Sequence, residues 1–401
     1  MIQKNLIKCP YCSSENTKKE GKRKNRLQII QKCKCKDCGK AFALSPLKGK
    51  SYPIKAMLNS ILHYNLGCTQ KEVSRIIAQK HKLQVPQKTI SNWINEYLQI
   101  CTYSKLRSEA VKLYRPNDIL FSKTFQHIQP YTFKYHKAKL YLLFHSKLYN
   151  NQFHNISLFY EPLKRYLERI PTDKFPHHIF TYSKSANDSA SSPDAEIANN
   201  KIDLMSNENN KNLNNENDNN TKNKIGNFGA GHYINESRAS QIKFSHLKIE
   251  AKSKNNLACK LASLALNLAT TNKQRHESIQ NFFLINDSTT IAVEIPIYLT
   301  NWDAGYYRNE KGFIFPLNNY QTPITGHIDI LQIRNGLIHI LDYKPEAEKQ
   351  NPVEQLTIYA LALSRKLNLP LYYFKCAWFD ENNYFEFFPL HAVYEKQKAK
   401  V

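Results

Sequence analysis

A hairpin in the last quarter of the chain constrains the fold more than any other stretch. Residues Pro323 to Lys344 read PITGHIDILQIRNGLIHILDYK, with an apolar run on each side of Asn335-Gly336. Asn-Gly is the dipeptide that best suits a two-residue type I′ turn, and such a turn fixes the register of both strands. In that register Asp329 is predicted to face Asp342 directly across the hairpin.

The two facing carboxylates create an electrostatic conflict. Their Cβ atoms are expected to lie about 4.5–5.5 Å apart, and Lys344, two residues after Asp342, leaves the same face of the strand. Like charges placed opposite each other destabilise a hairpin unless something positive lies between them. A divalent cation beside the Lys344 ammonium would resolve the conflict. The alternative is a buried hairpin with two incidental acids.

The order Asp329, then Asp342-x-Lys344, resembles the PD-(D/E)XK nucleases, and the surrounding residues are similar to the RecB-type branch. The resemblance covers residues 232–401. It implies an α/β fold with a restriction-endonuclease-like core and a Mg²⁺- or Mn²⁺-dependent deoxyribonuclease activity. Asp329 and Asp342 would hold the metal, with the main-chain carbonyl of Tyr343 as a further ligand. Lys344 would orient or deprotonate the attacking water and offset charge in the transition state.

Four more residues take roles from the same resemblance. Gln355 and Tyr359 match the Gln-x-x-x-Tyr helix of that branch, lie one helical turn apart, and would position the metal-bound water or the scissile phosphate. His276, in the stretch RHESIQNFF, matches the helix on which RecB-type nucleases carry a metal-binding histidine; otherwise it is an ordinary surface or core residue. Glu294 is interpreted as a second acid behind the metal ligands or as the partner of an arginine.

Two features of related enzymes are missing from the sequence. Residues 232–401 contain only Cys259 and Cys376, too few for the four-cysteine iron–sulfur cluster that some RecB-like enzymes hold. The chain also has no G-x-x-x-x-G-K-[ST] motif, so a helicase or ATPase would have to act as a partner in trans. A homodimer is equally open.

The N-terminal segment, residues 1–48, is predicted to be a zinc ribbon. Cys9-x-x-Cys12 and Cys35-x-x-Cys38 have the spacing of two knuckles that close one tetrahedral Zn²⁺ site. Cys33 competes with Cys35, but Cys35 gives the better knuckle. The segment resembles the ribbons at the front of many insertion-sequence transposases and some transcription factors. Free surface cysteines are the alternative.

Residues 51–100 are predicted to form a helix-turn-helix. Pro53 opens the first helix, Thr69-Gln-Lys-Glu72 is a capping box for the second, and a third runs from Gln87 to Leu98. A recognition helix would present its exposed polar residues to DNA. These residues are Gln87, Lys88, Ser91, Asn92 and Asn95. A plain trihelical interaction module is the alternative.

The middle of the chain is less specific. Residues 101–180 hold 16 aromatics, with 13 Lys plus Arg against 5 acids, a mixture that can stack on single-stranded bases. We interpret this segment as a packed connector or an accessory domain. Residues 181–230 are rich in asparagine and have no aromatic residue between Ser183 and Asn227, so they are predicted to be a disordered linker.

The formal net charge of +24 favours a polyanionic partner, with DNA as the default. No run of 18 apolar residues exists and the first eight residues lack a signal-peptide core, so the chain is expected to be soluble, cytoplasmic and nucleoid-associated, with no membrane partner. Two rival functions remain open: a non-catalytic DNA-binding regulator or mobile-element accessory factor on a nuclease scaffold, and a transposase proper.

Overall fold

The computed structural model describes residues 7–24, 29–43, 52–125, 131–145, 156–170, 237–239, 256–271, 274–313 and 323–394. The contacts of the chain divide it into two units, Met1–Pro176 with Glu236–Val401 and His177–Asn235. All described residues belong to the first unit. The predicted linker, 181–230, lies outside the described residues.

The N-terminal segment forms a small three-stranded antiparallel sheet. Its strands are β1 (Thr17–Lys24), β2 (Ile29–Cys35) and β3 (Ala41–Ala43), in that order. Cys9, Cys33, Cys35 and Phe42 are its buried apolar cluster. So few buried side chains cannot stabilise a domain by packing alone, which is the usual situation of a segment held together by a metal.

Three helices follow at the predicted places, α1 (Ile54–Asn65), α2 (Gln70–His81) and α3 (Gln87–Glu96). The predicted capping box is present, because the Thr69 side chain accepts from the Glu72 main-chain N–H and the Glu72 carboxylate accepts from that of Thr69. The apolar stripe of α3 is buried at Ile90, Trp93 and Ile94. Local signals therefore predicted the starts and the inner faces of these helices, whereas α3 ends at Glu96, two residues before the predicted Leu98.

An eight-stranded mixed sheet is the centre of the molecule, which confirms the α/β class. Its order is β11-β10-β9-β8-β7-β5-β4, and β6 pairs with β8 off this path. The pairs β9–β10 and β6–β8 are parallel, and the others are antiparallel. The strands are β4 (Leu120–Phe125), β5 (Tyr131–His136), β6 (Ser237–Arg238), β7 (Thr290–Leu299), β8 (Ile324–Arg334), β9 (Leu337–Tyr343), β10 (Phe374–Phe379) and β11 (Tyr384–Phe387).

The β8–β9 hairpin has the predicted turn and register. Asn335 and Gly336 have φ angles of 52° and 72°, the left-handed values that a type I′ turn requires. Arg334 faces Leu337, and the paired ladder continues to Ile330 and Leu341. A two-residue turn leaves only one way to align the strands, which is why this register could be read from the sequence.

Among the described residues, eight further α-helices pack around the sheet. The helix α10 carries the predicted Gln-x-x-x-Tyr pair and ends where Asn368 takes a left-handed conformation. The set is α4 (Arg107–Leu113), α5 (Lys137–His145), α6 (Ile156–Arg169), α7 (Leu257–Ala265), α8 (Gln274–Asn286), α9 (Asn301–Asn309), α10 (Val353–Leu367) and α11 (Pro389–Val393).

The front and back of the described chain share one core, although the sequence predicts separate blocks at 51–100, 101–180 and 232–401. Buried residues of α1–α3 belong to the same apolar cluster as buried residues of α7, α8 and the sheet. Strands β4 and β5, in the predicted connector, extend the sheet at the β7 edge. Sequence patterns show which face of an element is apolar, but they do not show which distant element covers it.

Candidate functional site

The candidate site lies where the two strands of the hairpin separate. Asp329 and Asp342 are the next residues after the last paired position, Ile330 with Leu341. On its other side β9 is paired with β10 from Ile338 to Tyr343, and the Lys344 N–H donates to the carbonyl of Phe379 at 3.0 Å. The Tyr343 N–H donates to Asp329 Oδ2 at 3.2 Å. Both carboxyl groups therefore occupy the gap between the diverging strands.

The two carboxyl groups have opposite pKa shifts. Asp342 is 4 % exposed, and burial followed by the charge of Asp329 raises its pKa well above the ordinary value. Burial alone would raise the pKa of Asp329 as well, but nearby His276 and a hydrogen bond with Asp342 outweigh burial and lower it. In the metal-free protein Asp342 is therefore the more basic of the two carboxyl groups.

Two basic side chains contact this pair. The Lys344 Nζ atom lies 2.7 Å from Asp342 Oδ2. His276 Nδ1, on α8, lies 3.7 Å from Asp329 Oδ2, a contact rather than a close hydrogen bond. The structure thus brings the predicted lysine and histidine to the two carboxylates, one to each.

Glu294 lies on the other side of Asp329. The flanking pairs, Val293 with Ile330 and Ile295 with Ile328, put Glu294 opposite Asp329 across β7 and β8. Its φ angle of 52° is rare for a residue other than glycine, and such conformations concentrate at functional sites. Burial, followed by the charge of Asp329, raises the pKa of Glu294 to about 7.

Gln280, one turn after His276 on α8, completes this side of the site. Its Nε2 donates to Glu294 Oε1 at 2.6 Å. Glu294 was predicted either to stand behind the metal ligands or to pair with an arginine. Its described hydrogen bond is to Gln280 and not to an arginine, and its place behind the metal ligands stays a prediction. The four-residue spacing from His276 is the signal that could have identified Gln280.

Gln355 and Tyr359 lie together on α10, where the Gln355 Nε2 donates to the Tyr359 hydroxyl at 2.9 Å. The tyrosine ring packs against the main chain of β8 at Gly326. A Cβ atom at Gly326 would lie 2.6 Å from the Tyr359 hydroxyl oxygen, so only glycine allows this approach. Burial raises the pKa of Tyr359, and its hydroxyl therefore remains a hydrogen-bond donor at neutral pH.

A second polar group borders the site and was not predicted. Arg275 Nη2 donates to the Tyr343 hydroxyl at 3.0 Å and lies 3.5 Å from Glu381 Oε1. Arg275 precedes His276 on α8, and Tyr343 lies between Asp342 and Lys344. This group therefore fixes the orientation of α8 relative to β9, a tertiary relation that no local pattern encodes.

The four predicted ribbon cysteines lie together. Cys9 Sγ is 3.6 Å from Cys38 Sγ, and Cys12 Sγ is 3.5 Å from Cys35 Sγ. Four sulfurs around Zn²⁺ at 2.3 Å lie about 3.8 Å apart, so the spacing is compatible with a zinc site. Cys33 is buried in the ribbon core and is outside this set.

The possible ligand atoms of the four cysteines lie closer together than those of the carboxylate site. Among the described residues, the cysteines are the only group of three or more His, Cys, Asp or Glu whose ligand atoms all lie within 4.8 Å of one another. His276 contacts Asp329, and Asp329 is hydrogen-bonded with Asp342, but the three residues do not form so close a set.

The polar face predicted for DNA lies on the outside of α3. Gln87, Lys88, Asn92 and Asn95 are exposed, and Ser91 is partly exposed. No side-chain cap occupies the N-terminus of this helix. Within the described part of the chain, this face of α3 is therefore accessible to a binding partner.

No family model matches the chain, and neither a curated protein nor a solved structure matches it. Within the described ranges, no helix combines the length and the apolar character that a membrane span needs.

Proposed function

We propose that this chain is a metal-dependent DNA nuclease that hydrolyses phosphodiester bonds on a PD-(D/E)XK core. One observation carries the proposal: the buried Asp342 and the partly buried Asp329 face each other where β8 and β9 separate, with the Lys344 ammonium 2.7 Å from Asp342. A purely structural hairpin gains nothing from this arrangement, since opposed acids destabilise it.

The residues fit a hard divalent cation. The donors are two carboxylates, with Glu294 behind them and the His276 imidazole at the edge, and oxygen-rich sets of this kind suit Mg²⁺ or Mn²⁺. The raised pKa of Asp342 has burial and the neighbouring Asp329 charge as its causes, and both would be offset by a bound cation. Asp329, Asp342 and the Tyr343 carbonyl would hold the metal, and His276 would complete the set.

When bound, such a metal activates water and polarises the phosphate. The protein groups around it have separate tasks. Lys344 supplies a positive charge that offsets the charge developing on the phosphate, and it orients the attacking water. Gln355 and Tyr359, joined by their hydrogen bond, present an amide and a hydroxyl for the water or the scissile phosphate. Gln280 fixes the Glu294 carboxylate in place.

The test is a cleavage assay on the full chain with linear and circular DNA, single- and double-stranded, in Mg²⁺, Mn²⁺ or a chelator. We expect cleavage in either metal and none in the chelator. Lys344→Met, which keeps the side-chain volume, is expected to lower the rate by about a hundredfold or more. Tight DNA binding without cleavage under every condition would instead support the rival function, a non-catalytic DNA-binding regulator.

We also propose that the ribbon cysteines hold one Zn²⁺ and that the ribbon and α3 together bind DNA. Strand β1 supports the second part, because the five basic residues of its sequence TKKEGKRK are exposed. Basic side chains of this kind neutralise phosphates and make affinity depend on salt. The exposed polar residues of α3 would then contact base edges.

Zinc content tests the cysteine assignment. Metal analysis of the full chain is expected to give one Zn²⁺ per chain, and Cys33→Ser is expected to retain it, because Cys33 lies outside the group of four sulfurs. Cys35→Ser is expected to lose it, since three thiolates bind zinc more weakly than four. Equal zinc content in the two variants would contradict the assignment.

A further inference from the structure

The side chain of Trp302 is unusually exposed. Trp302 lies in the first turn of α9 and is 84 % exposed, whereas the other two tryptophans of the chain, Trp93 and Trp378, are 5 % and 3 % exposed. A Cβ atom at Gly305, on the same side of α9, would meet no atom within 4 Å. Single exposed apolar residues are common, so exposure alone means little. The neighbours of Trp302 distinguish it.

Trp302 is the middle member of a row of three aromatic residues, each four positions from the next. Tyr298 is the next-to-last residue of β7 and has the Lys366 Nζ 3.8 Å from its ring centroid. Tyr306, one turn after Trp302, has the Arg365 guanidinium at 4.4 Å and the Lys311 Nζ at 5.5 Å. We call these three aromatics and three cations the aromatic strip.

The strip is held rigidly. Thr300 and Asp303 form a capping box at the start of α9, and the Tyr307 hydroxyl donates to the Leu361 carbonyl on α10 at 2.8 Å. Asp303 is buried and lies 3.4 Å from Arg365 and 3.8 Å from Lys366. Because these contacts fix both helices, a ligand would meet rings that are already in position, and little conformational entropy would be lost.

The strip is continuous with the candidate site along two elements. On β7, Tyr298 follows Glu294 by four residues, about 13 Å of strand. On α10, Lys366 follows Tyr359 by seven residues, which is about 10 Å and returns to the same face of the helix. Both β7 and α10 therefore carry one residue at the candidate site and another in the aromatic strip.

We propose that the aromatic strip binds single-stranded DNA, with a base stacked on Trp302 and phosphates near Lys311, Arg365 and Lys366. This rests on the proposed nuclease function, because the strip would hold the strand that enters or leaves that site. Alternating rings and cations are the means by which proteins bind single strands, whose bases offer free faces. In a duplex those faces are covered by neighbouring bases.

Tryptophan fluorescence gives a direct test on the full chain without added divalent cation, so that the strand stays intact. Titration with a single-stranded dT oligonucleotide is expected to quench the emission and to protect it from iodide, because Trp302 is the exposed tryptophan. A blunt duplex of the same length is expected to quench it much less. Equal quenching by both, or none by the single strand, would overturn the proposal.

Variants measured by anisotropy of a labelled oligonucleotide separate stacking from general charge. Trp302→Ala is expected to weaken single-strand binding by about tenfold or more, and Trp302→Phe, which keeps an aromatic face, to retain most of it. The matched control is Tyr372→Ala, which removes a ring that is exposed outside the strip. Equal losses in Trp302→Ala and Tyr372→Ala, or no loss in Trp302→Ala, would refute the stacking role.

The outcomes also distinguish the strip from the nuclease. Single-strand binding that depends on Trp302, in a protein that never cleaves DNA, would uphold the strip and end the nuclease proposal. Metal-dependent cleavage with single-strand affinity unchanged by Trp302→Ala would support the nuclease proposal and refute the aromatic strip.

Discussion

Replacing Asp342 with asparagine is expected to abolish cleavage and, at the same time, to stabilise the metal-free protein. The variant is nearly isosteric, so packing is preserved. Loss of a metal-binding carboxylate is expected to lower the cleavage rate by about a thousandfold or more. The stability gain is expected because asparagine removes one of two opposed acids, an effect on the order of 1 kcal/mol for a facing pair in a sheet.

The pH dependence follows from the sign of the shift. Because the folded-state pKa of Asp342 is raised, the folded chain holds a proton that the unfolded chain has released above the ordinary value of 3.8. The free energy of unfolding contributed by this group therefore falls as pH rises from 3.8 toward the folded pKa. Glu294 acts in the same direction between 4.5 and about 7. The advantage of Asp342→Asn should accordingly be absent near pH 4 and grow toward neutral pH.

Asp329→Asn is the matched variant. It should also abolish cleavage, but it should destabilise the metal-free protein at neutral pH, since the ionised Asp329 accepts the Tyr343 N–H and lies beside His276. Its lowered pKa has the opposite sign, so its stabilising effect is lost in acid. Thermal melts of both variants and the parent at pH 4 and 7.5, without metal and with Mg²⁺, would separate the two residues.

Added Mg²⁺ should raise the melting temperature of the parent and of neither variant, because only the parent retains both ligands. A variant that still cuts DNA would refute the paired-ligand mechanism. So would a parent whose melting temperature ignores divalent metal while its activity persists, and the hairpin would then have a structural role.

Sequence signals predicted the parts of the candidate site that depend on short-range rules. Asn335-Gly336 fixed the turn and therefore placed Asp329 opposite Asp342. The four-residue spacing of Gln355 and Tyr359 put both on one face of α10, where they are hydrogen-bonded. In each case a few neighbouring residues determine the geometry, and the rest of the chain has little influence on it.

Other features depend on residues far apart in the chain. The pairing of β5 with β7 brings Lys134 opposite Val293 across more than 150 residues, including the whole predicted linker. The left-handed conformation of Glu294 has no glycine to signal it. Nor does any pattern show that Arg275 would reach the Tyr343 hydroxyl. Such contacts depend on how the apolar faces and polar groups of distant segments fit together. The local patterns of a single sequence do not show which segments will meet.

A chain reduced to residues 232–401 is expected not to fold, although the sequence predicts that block as an independent nuclease domain. Without residues 1–231 the β7 edge would lose its partner β5. The apolar face of α8 would lose α1, whose Met57, Leu58 and Ile61 are buried in the shared core. Each such side chain contributes about 2–5 kcal/mol, and several together exceed the roughly 5–15 kcal/mol that stabilise a whole domain.

Buried polar groups would add to the cost of this truncation. The Asn65 Nδ2 donates to Asn286 Oδ1 at 2.8 Å. The Lys139 ammonium, on α5, donates to the main-chain carbonyls of Leu284, Asp287 and Thr290. In the shortened chain these carbonyls, at the C-terminal end of α8 and the start of β7, lose that donor. A buried carbonyl without a partner costs about 1–3 kcal/mol.

Two truncations tested side by side decide the matter. A chain of residues 51–401, which lacks only the ribbon, should keep a cooperative thermal transition close to that of the parent, because the ribbon has its own cluster of buried residues. Residues 232–401 should show no cooperative transition, bind a hydrophobic dye and aggregate, as expected of a sheet with an uncovered edge and face. If the short block instead melts cooperatively and cuts DNA, the shared core is dispensable, and α1–α3, β4 and β5 form an addition to a self-sufficient nuclease.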